Sequence, residues 1–175
     1  MLKPGDIAPP FDLPCATGGR MSRSNSAKID SELLLIFFYP RDFSFICPTE
    51  VTGFNHALAD FTAEKTAIVG VSVDSAESHL QWSNELGGIA YPLLADEGGA
   101  LARSYGVLDE SEGVALRATF ILDRKRAVMF SSSCPLNVGR SVSETLRIVR
   151  ALRTGQLCPA DWTPGVKLGP SDRKF

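Results

Sequence analysis

The chain of 175 residues has only four cysteines, two histidines and two tryptophans. The cysteines (Cys15, Cys47, Cys134, Cys158) are far apart and form no C-x-x-C pair. That argues against a zinc knuckle and against a thioredoxin-type dithiol. With only His56 and His79 to add, the sequence offers no metal site, and no cofactor is expected. There is no basic stripe: 18 Lys and Arg against 20 Asp and Glu leave a net charge of −2, which gives no footprint for nucleic acid. There is no long apolar run either. The longest, Leu33 to Tyr39, is too short to cross a bilayer. The segment MLKPGDIAPPFDLPC has no apolar signal core. The expectation is a soluble, cytoplasmic protein without a membrane partner. Length and an apolar share of 44% suit one domain with a real core.

What is present falls into alternating strand and helix signals. Residues 1 to 30 are rich in Gly, Pro and Ser and read as an irregular entry with at most short strands. Leu33 to Tyr39 reads as a fully buried strand. A helix from about Phe45 to Lys65 follows, with Val51, Phe54, Leu58 and Phe61 at helical spacing and Pro48 near its start. Residues 66 to 74 read as a second strand. A helix capped by Asp74 or Ser75 runs to Gly87-Gly88, and residues 91 to 96 form a third strand. A short helix occupies about Gly99 to Tyr105. Residues 118 to 123 and 127 to 133 suit an antiparallel hairpin. The last helix spans 141 to 155, with Ser141 and Glu144 as a capping box and Gly155 as its stop. This order argues for an α/β fold with a mixed central sheet, compatible with a thioredoxin-like sheet. The chain divides into a domain over 1 to 155 and an extended Pro/Gly-rich tail over 156 to 175.

The most informative residue is Cys47, in LLLIFFYPRDFSFICPTE at residues 33 to 50. It falls where a strand has ended and a helix begins. Free backbone N–H groups and the positive end of the helix dipole favour a thiolate there, and the thiolate is the nucleophile. Attack on an electrophile requires the sulfur to be ionised and reachable, and the leaving charge to be stabilised. Ser44 lies one turn before Cys47, where its hydroxyl can face the sulfur. Pro40 fixes the chain direction and can shield the site from water. A cation is still missing, and Arg117 or Arg140 can bring it from elsewhere. The competing view is an inert cysteine in a core.

FFYPRDFSFICPTEV resembles the active-site signature of the peroxiredoxins, in particular the typical 2-Cys, alkyl hydroperoxide reductase C-type group. Pro40, Ser44 and Cys47 match its pattern of Pro, three residues, Thr or Ser, two residues, Cys. LRATFILD and NVGRSVSETLR resemble two later family segments, which places Arg117 and Arg140 at the family arginines. GQLCPADWTPG resembles the segment carrying the resolving cysteine, here Cys158.

The resemblance implies a thioredoxin-fold peroxidase. Cys47 would reduce hydrogen peroxide or alkyl hydroperoxides and become a sulfenic acid. Cys158 of the partner subunit would condense with it, and a thioredoxin-like or flavoprotein disulfide reductase would restore both thiols. Arg117 would hold the thiolate and polarise the peroxide. Glu50 would orient an arginine through an ion pair. Arg140 sits just before a helix, where its charge opposes the dipole, so a cysteinate or Glu50 should compensate it. Ser44 replaces the commoner Thr and keeps the hydroxyl without the methyl. Cys15 and Cys134 match no family role and read as structural. Phe43, Phe45 and Trp82 suggest an apolar rim. The family forms homodimers and rings of five dimers, and an oligomeric holdase or scaffold is the alternative function. The loop Gly87-Gly88-Ile89-Ala90 matches the over-oxidation-sensitive subgroup only in part, and the tail lacks that group's Tyr-Phe ending. The resemblance therefore implies relative resistance to inactivation.

Overall fold

The computed structural model describes residues 1–170. Strand β3 (Leu33–Phe38) is the centre of the fold. Its side chains alternate between two cores. Leu34, Ile36 and Phe38 join one cluster, while Leu33, Leu35 and Phe37 join the other. Burial on both faces explains why this strand is apolar throughout rather than alternating. It pairs in parallel with β4 (Thr66–Ser72), and β4 pairs in parallel with β5 (Leu93–Ala95). On its other side β3 pairs antiparallel with β8 (Arg117–Asp123), which forms a hairpin with β9 (Val128–Cys134).

The parallel pairs need crossovers, supplied by α1 (Cys47–His56) with α2 (Leu58–Ala63), and by α3 (Ala76–Glu85). The anticipated single helix from Phe45 to Lys65 is thus two helices. It starts later because Phe45 is 95% exposed and lies in the loop before Cys47. It breaks at Ala57, which leaves helical geometry with ψ near 3°. Ser75, not Asp74, caps α3. Helix α4 (Ala100–Ser104) and the two-residue strands β6 (Leu108–Asp109) and β7 (Val114–Ala115) precede β8. Helix α5 (Val142–Thr154) closes the core below α1, with Gly155 in the left-handed conformation as its stop.

Two expectations need correction. The entry segment is not irregular: β1 (Asp12–Thr17) and β2 (Arg20–Asn25) form a hairpin that extends the sheet beyond β5. Its turn is Gly18-Gly19, both at positive φ, as tight hairpins require. The signal was weak because β2 is an edge strand with no buried face. The seven-stranded order is β2-β1-β5-β4-β3-β8-β9. Over its described residues, 156–170, the tail is not simply extended either; residues 171–175 lie outside the described residues. Trp162 is buried, donates through Nε1 to Val166 O at 2.9 Å, and its carbonyl accepts from Arg147 Nη1 on α5 at 3.0 Å. A large indole gains by burial if its N–H finds an acceptor, and both conditions fold the tail back on α5.

Candidate active site

Cys47 is the first residue of α1 and is 0% exposed. The sequence argument required a reachable sulfur, whereas the side chain belongs to the core cluster of Tyr39, Val51 and Trp82. Pro40, just after β3, is also buried. Pro48 occupies the first helical turn, where its missing N–H costs nothing. The Ser44 hydroxyl accepts from the Cys47 backbone N–H at 3.4 Å. It therefore braces the start of the helix through the main chain.

Glu50, one turn along the same face, organises the remaining charges. Its carboxylate is almost fully buried. Arg117 Nη1 donates to Glu50 Oε2 at 2.8 Å and lies 3.3 Å from Cys47 Sγ, while its Nε donates to Leu136 O at 2.9 Å. The first residue of β8 is thus held from three sides. A strand-end arginine is ordinarily solvated, but this one is buried. Arg140 donates to Glu50 Oε1 from its backbone N–H at 2.9 Å and from Nε at 3.0 Å. Its Nη1 reaches Ala118 O at 2.8 Å and Thr119 Oγ1 at 3.1 Å, and its Nη2 donates to Phe38 O. The guanidinium also stands 5.3 Å from the centre of the Phe37 ring. Burial lowers the pKa of Arg140 from the usual arginine value, and the Glu50 carboxylate opposes that shift. Of the two compensators anticipated for Arg140, Glu50 makes the contact.

The fold therefore brings Pro40, Ser44, Cys47, Glu50, Arg117 and Arg140 to one end of the sheet, at the junction of β3, α1, β8 and the loop before α5. Cys158 is elsewhere. Its sulfur lies 3.4 Å from Thr154 Oγ1 and 3.8 Å from Ala151 O at the end of α5, and all four cysteines are free. Cys134 is the cross-strand partner of Arg117, so a residue first read as structural borders the site. Cys15 is buried with Sγ 3.1 Å from Ser22 Oγ. Of the expected apolar rim, Phe43 and Phe45 are exposed, but Trp82 is in the core. Sequence reasoning missed Asp42, Tyr39 and His79, which form a buried hydrogen-bonded group behind the loop. The one available hint was a carboxylate placed between Pro40 and Ser44.

The sequence profile of the AhpC/TSA family matches residues 4–131, which cover the strand–loop–helix around Cys47 and the whole of β8. This chain belongs to the AhpC/TSA family. It is a peroxiredoxin, a thiol-dependent peroxidase. The chloroplastic 2-Cys peroxiredoxin BAS1 of Spinacia oleracea is 39% identical over 182 positions, covering 98% of this chain and 69% of that protein. Peroxiredoxin 2 of Drosophila melanogaster is 39% identical over 175 positions, covering 94% and 90%. The reduced 2-Cys peroxiredoxin of Plasmodium vivax superposes with a TM-score of 0.87 at 32% identity, over 96% of this chain and 93% of that one. AhpC of Mycobacterium tuberculosis gives 0.84 at 34% identity, over 93% and 99%. These likenesses also settle the thioredoxin-like fold of this peroxiredoxin. Among its described residues no helix is long and apolar enough to cross a membrane.

Proposed function

We propose that Cys47 is the attacking thiol of this peroxidase, that its substrates are hydrogen peroxide and alkyl hydroperoxides, and that Cys158 of the partner subunit resolves it. The observation that carries the reading is Arg117 Nη1, 3.3 Å from Sγ and tied at 2.8 Å to Glu50. Two guanidinium groups and one carboxylate leave one positive charge in excess in a buried site, and buried charge is costly unless balanced. A thiolate on Cys47 balances it. The thiolate attacks the terminal peroxide oxygen: an S–O bond forms, the O–O bond breaks, and the departing oxygen takes a proton to leave as water or alcohol. Arg117 is placed to donate to that oxygen as charge develops. Arg140 acts through Glu50 as a positioning residue, and Ser44 and Pro40 hold the approach to the helix.

The product is a sulfenic acid, which a second thiol protects from further oxidation. Cys158 condenses with it, forming a disulfide and releasing water. In the chain itself the two sulfurs have separate surroundings, and Cys47 is buried. In this reading the first turn of α1 opens, and the thiol that Cys47 meets is that of a second copy. β9 is the last strand at one edge of the sheet; its first residue, Val128, bonds Gly5 and Asp6 of the N-terminal segment, and among the described residues no further strand covers the rest, which suits pairing with a second copy in a homodimer or a ring of dimers. A thioredoxin-like or flavoprotein disulfide reductase then returns two electrons and two protons. In this reading residues 1 to 155 are the peroxidase domain and the segment from 156 carries the resolving thiol.

The test is peroxide consumption with a dithiol reductant, on wild type, Cys47→Ser and Cys158→Ser. Turnover is expected to vanish in Cys47→Ser. Full turnover in that variant would contradict the reading and favour a holdase or scaffold.

A further inference from the structure

The loop from 41 to 46 delivers Cys47 to its site with a modest apolar hold: the Phe43 ring lies 6.2 Å from that of Trp82, and Ile46 lies near Gly139. Arg41, Phe43 and Phe45 are exposed, and Ser44 and Ile46 are half-buried. The one buried residue is Asp42, a carboxylate. It is held at three points. Tyr39 Oη donates to Oδ1 at 3.0 Å, Ser78 Oγ donates to Oδ2 at 2.8 Å, and His79 Nδ1 lies 2.8 Å from Oδ2. His79, fully buried on α3, is itself fixed by Nε2 donating to Leu94 O on β5 at 3.1 Å. The Asp42 backbone N–H donates to Asp74 Oδ2 at 2.8 Å, and that oxygen also accepts from Ser72 Oγ at 2.6 Å. Burial, with Asp42 adding to it, pushes the Tyr39 phenol well above its ordinary pKa, so it stays a donor.

The next residue explains why such a clamp is needed. Phe43 has φ of 52°, a left-handed conformation that a bulky residue adopts only under constraint. The adjoining Asp42 is anchored to Tyr39 just past β3, to α3 and to the loop after β4, and so fixes the backbone on one side of the strained residue.

We propose that Asp42 and His79 are positioning residues that form a polar latch on this loop, and that the latch sets how fast the first turn of α1 opens after Cys47 is oxidised. The proposal rests on the reading of Cys47 as the attacking thiol. With the latch closed, the sulfenic acid stays beside Arg117 and can attack a second peroxide. That step forms a second S–O bond, breaks the O–O bond, and yields sulfinic acid and water. With the latch open, the sulfenic acid meets Cys158 of the partner subunit instead. A firm latch therefore favours fast first oxidation and slower resolution, and a weak latch the reverse.

The experiment measures two quantities on full-length protein: the rate of Cys47 oxidation by hydrogen peroxide, and the peroxide concentration at which half of Cys47 becomes sulfinic per turnover. Asp42→Asn keeps the shape but loses charge-assisted hydrogen bonds. It is expected to slow the oxidation and to raise the half-sulfinic concentration, each about tenfold. Ser78→Ala removes a single hydroxyl from a half-buried position and retains the fold. It is expected to move both quantities in the same directions by a smaller factor. A general loss of stability lowers the melting temperature without slowing oxidation while speeding resolution. If both variants oxidise and partition as wild type does, there is no latch. If wild-type Cys47 does not oxidise, the reading of Cys47 as attacking thiol falls, and the latch with it.

Discussion

At the scale of single residues, the site depends on one buried carboxylate holding two guanidinium groups. Glu50→Ala leaves Arg117 and Arg140 without their shared anion in a buried place. Removing one partner from a buried ionic group costs about 3–5 kcal/mol, which denaturant unfolding would register as a lower midpoint at unchanged slope. Peroxidase activity is expected to fall with it, because Arg117 is no longer fixed beside Cys47 Sγ. Glu50→Gln keeps the volume and some acceptors, so its loss of stability is expected to be smaller. The gathering of Pro40, Ser44, Cys47, Arg117 and Arg140 at one end of the sheet was legible only through the family motifs, since spacing alone left the arginines as solvated charges; Cys158, marked by the same resemblance, lies elsewhere in the chain. The burial of Cys47 was not legible. Whether a helix-start sulfur faces solvent depends on the core it joins, and that cluster draws Tyr39, Val51 and Trp82 from three separate segments. The latch was hidden for the same reason: Asp42 and His79 are 37 positions apart and meet only in the fold.

At the scale of elements, packing between strands decides where the arginines can go. Gly70 on β4 is a close approach: a Cβ there would stand 2.8 Å from Phe37 Cζ and 2.9 Å from Leu93 Cδ2. Phe37 stacks on Phe54 of α1 at 4.5 Å between ring centres and also lies under Arg140. Gly70→Ala is therefore expected to overpack the core and cost about 1–3 kcal/mol, read as a lower melting temperature. The caps carry smaller effects. Ser141 Oγ accepts from the Glu144 N–H at 3.1 Å, so Ser141→Ala is expected to lose about 0.5–2 kcal/mol in the same measurement. The capping box is only half made. The Glu144 carboxylate turns to Arg147, at 2.6 and 2.7 Å, in place of the backbone N–H it was expected to meet. Strands with two buried faces were easy to read from their apolar runs. The β1–β2 hairpin was not, since an edge strand exposed on both faces has no periodicity to read.

At the scale of the whole molecule, the proposed cycle assigns to the tail and the β9 edge the contacts with a second copy. Trp162 pins the tail to α5 and so sets the resting place of Cys158. Trp162→Ala is expected to release the tail and change the rate of disulfide formation, while Cys47 oxidation by peroxide stays as in wild type. Rapid-mixing traces with separate oxidation and resolution phases would distinguish the two. The mixed α/β sheet was readable because strand and helix signals alternate, but those signals alone did not choose the thioredoxin-like fold, which the family resemblance implied. That the tail folds back was not readable, because it depends on a single indole finding both a surface and an acceptor.

The central claim is that Cys47 and Cys158 form one redox unit across two chains. The direct measurement adds one equivalent of hydrogen peroxide to the reduced protein, digests it without reduction and maps the disulfides by mass spectrometry. The account predicts a Cys47–Cys158 link, recovered from a covalent dimer that reductant dissolves. A dominant link between any other pair, or Cys158 left as a free thiol while Cys47 is oxidised, would contradict it.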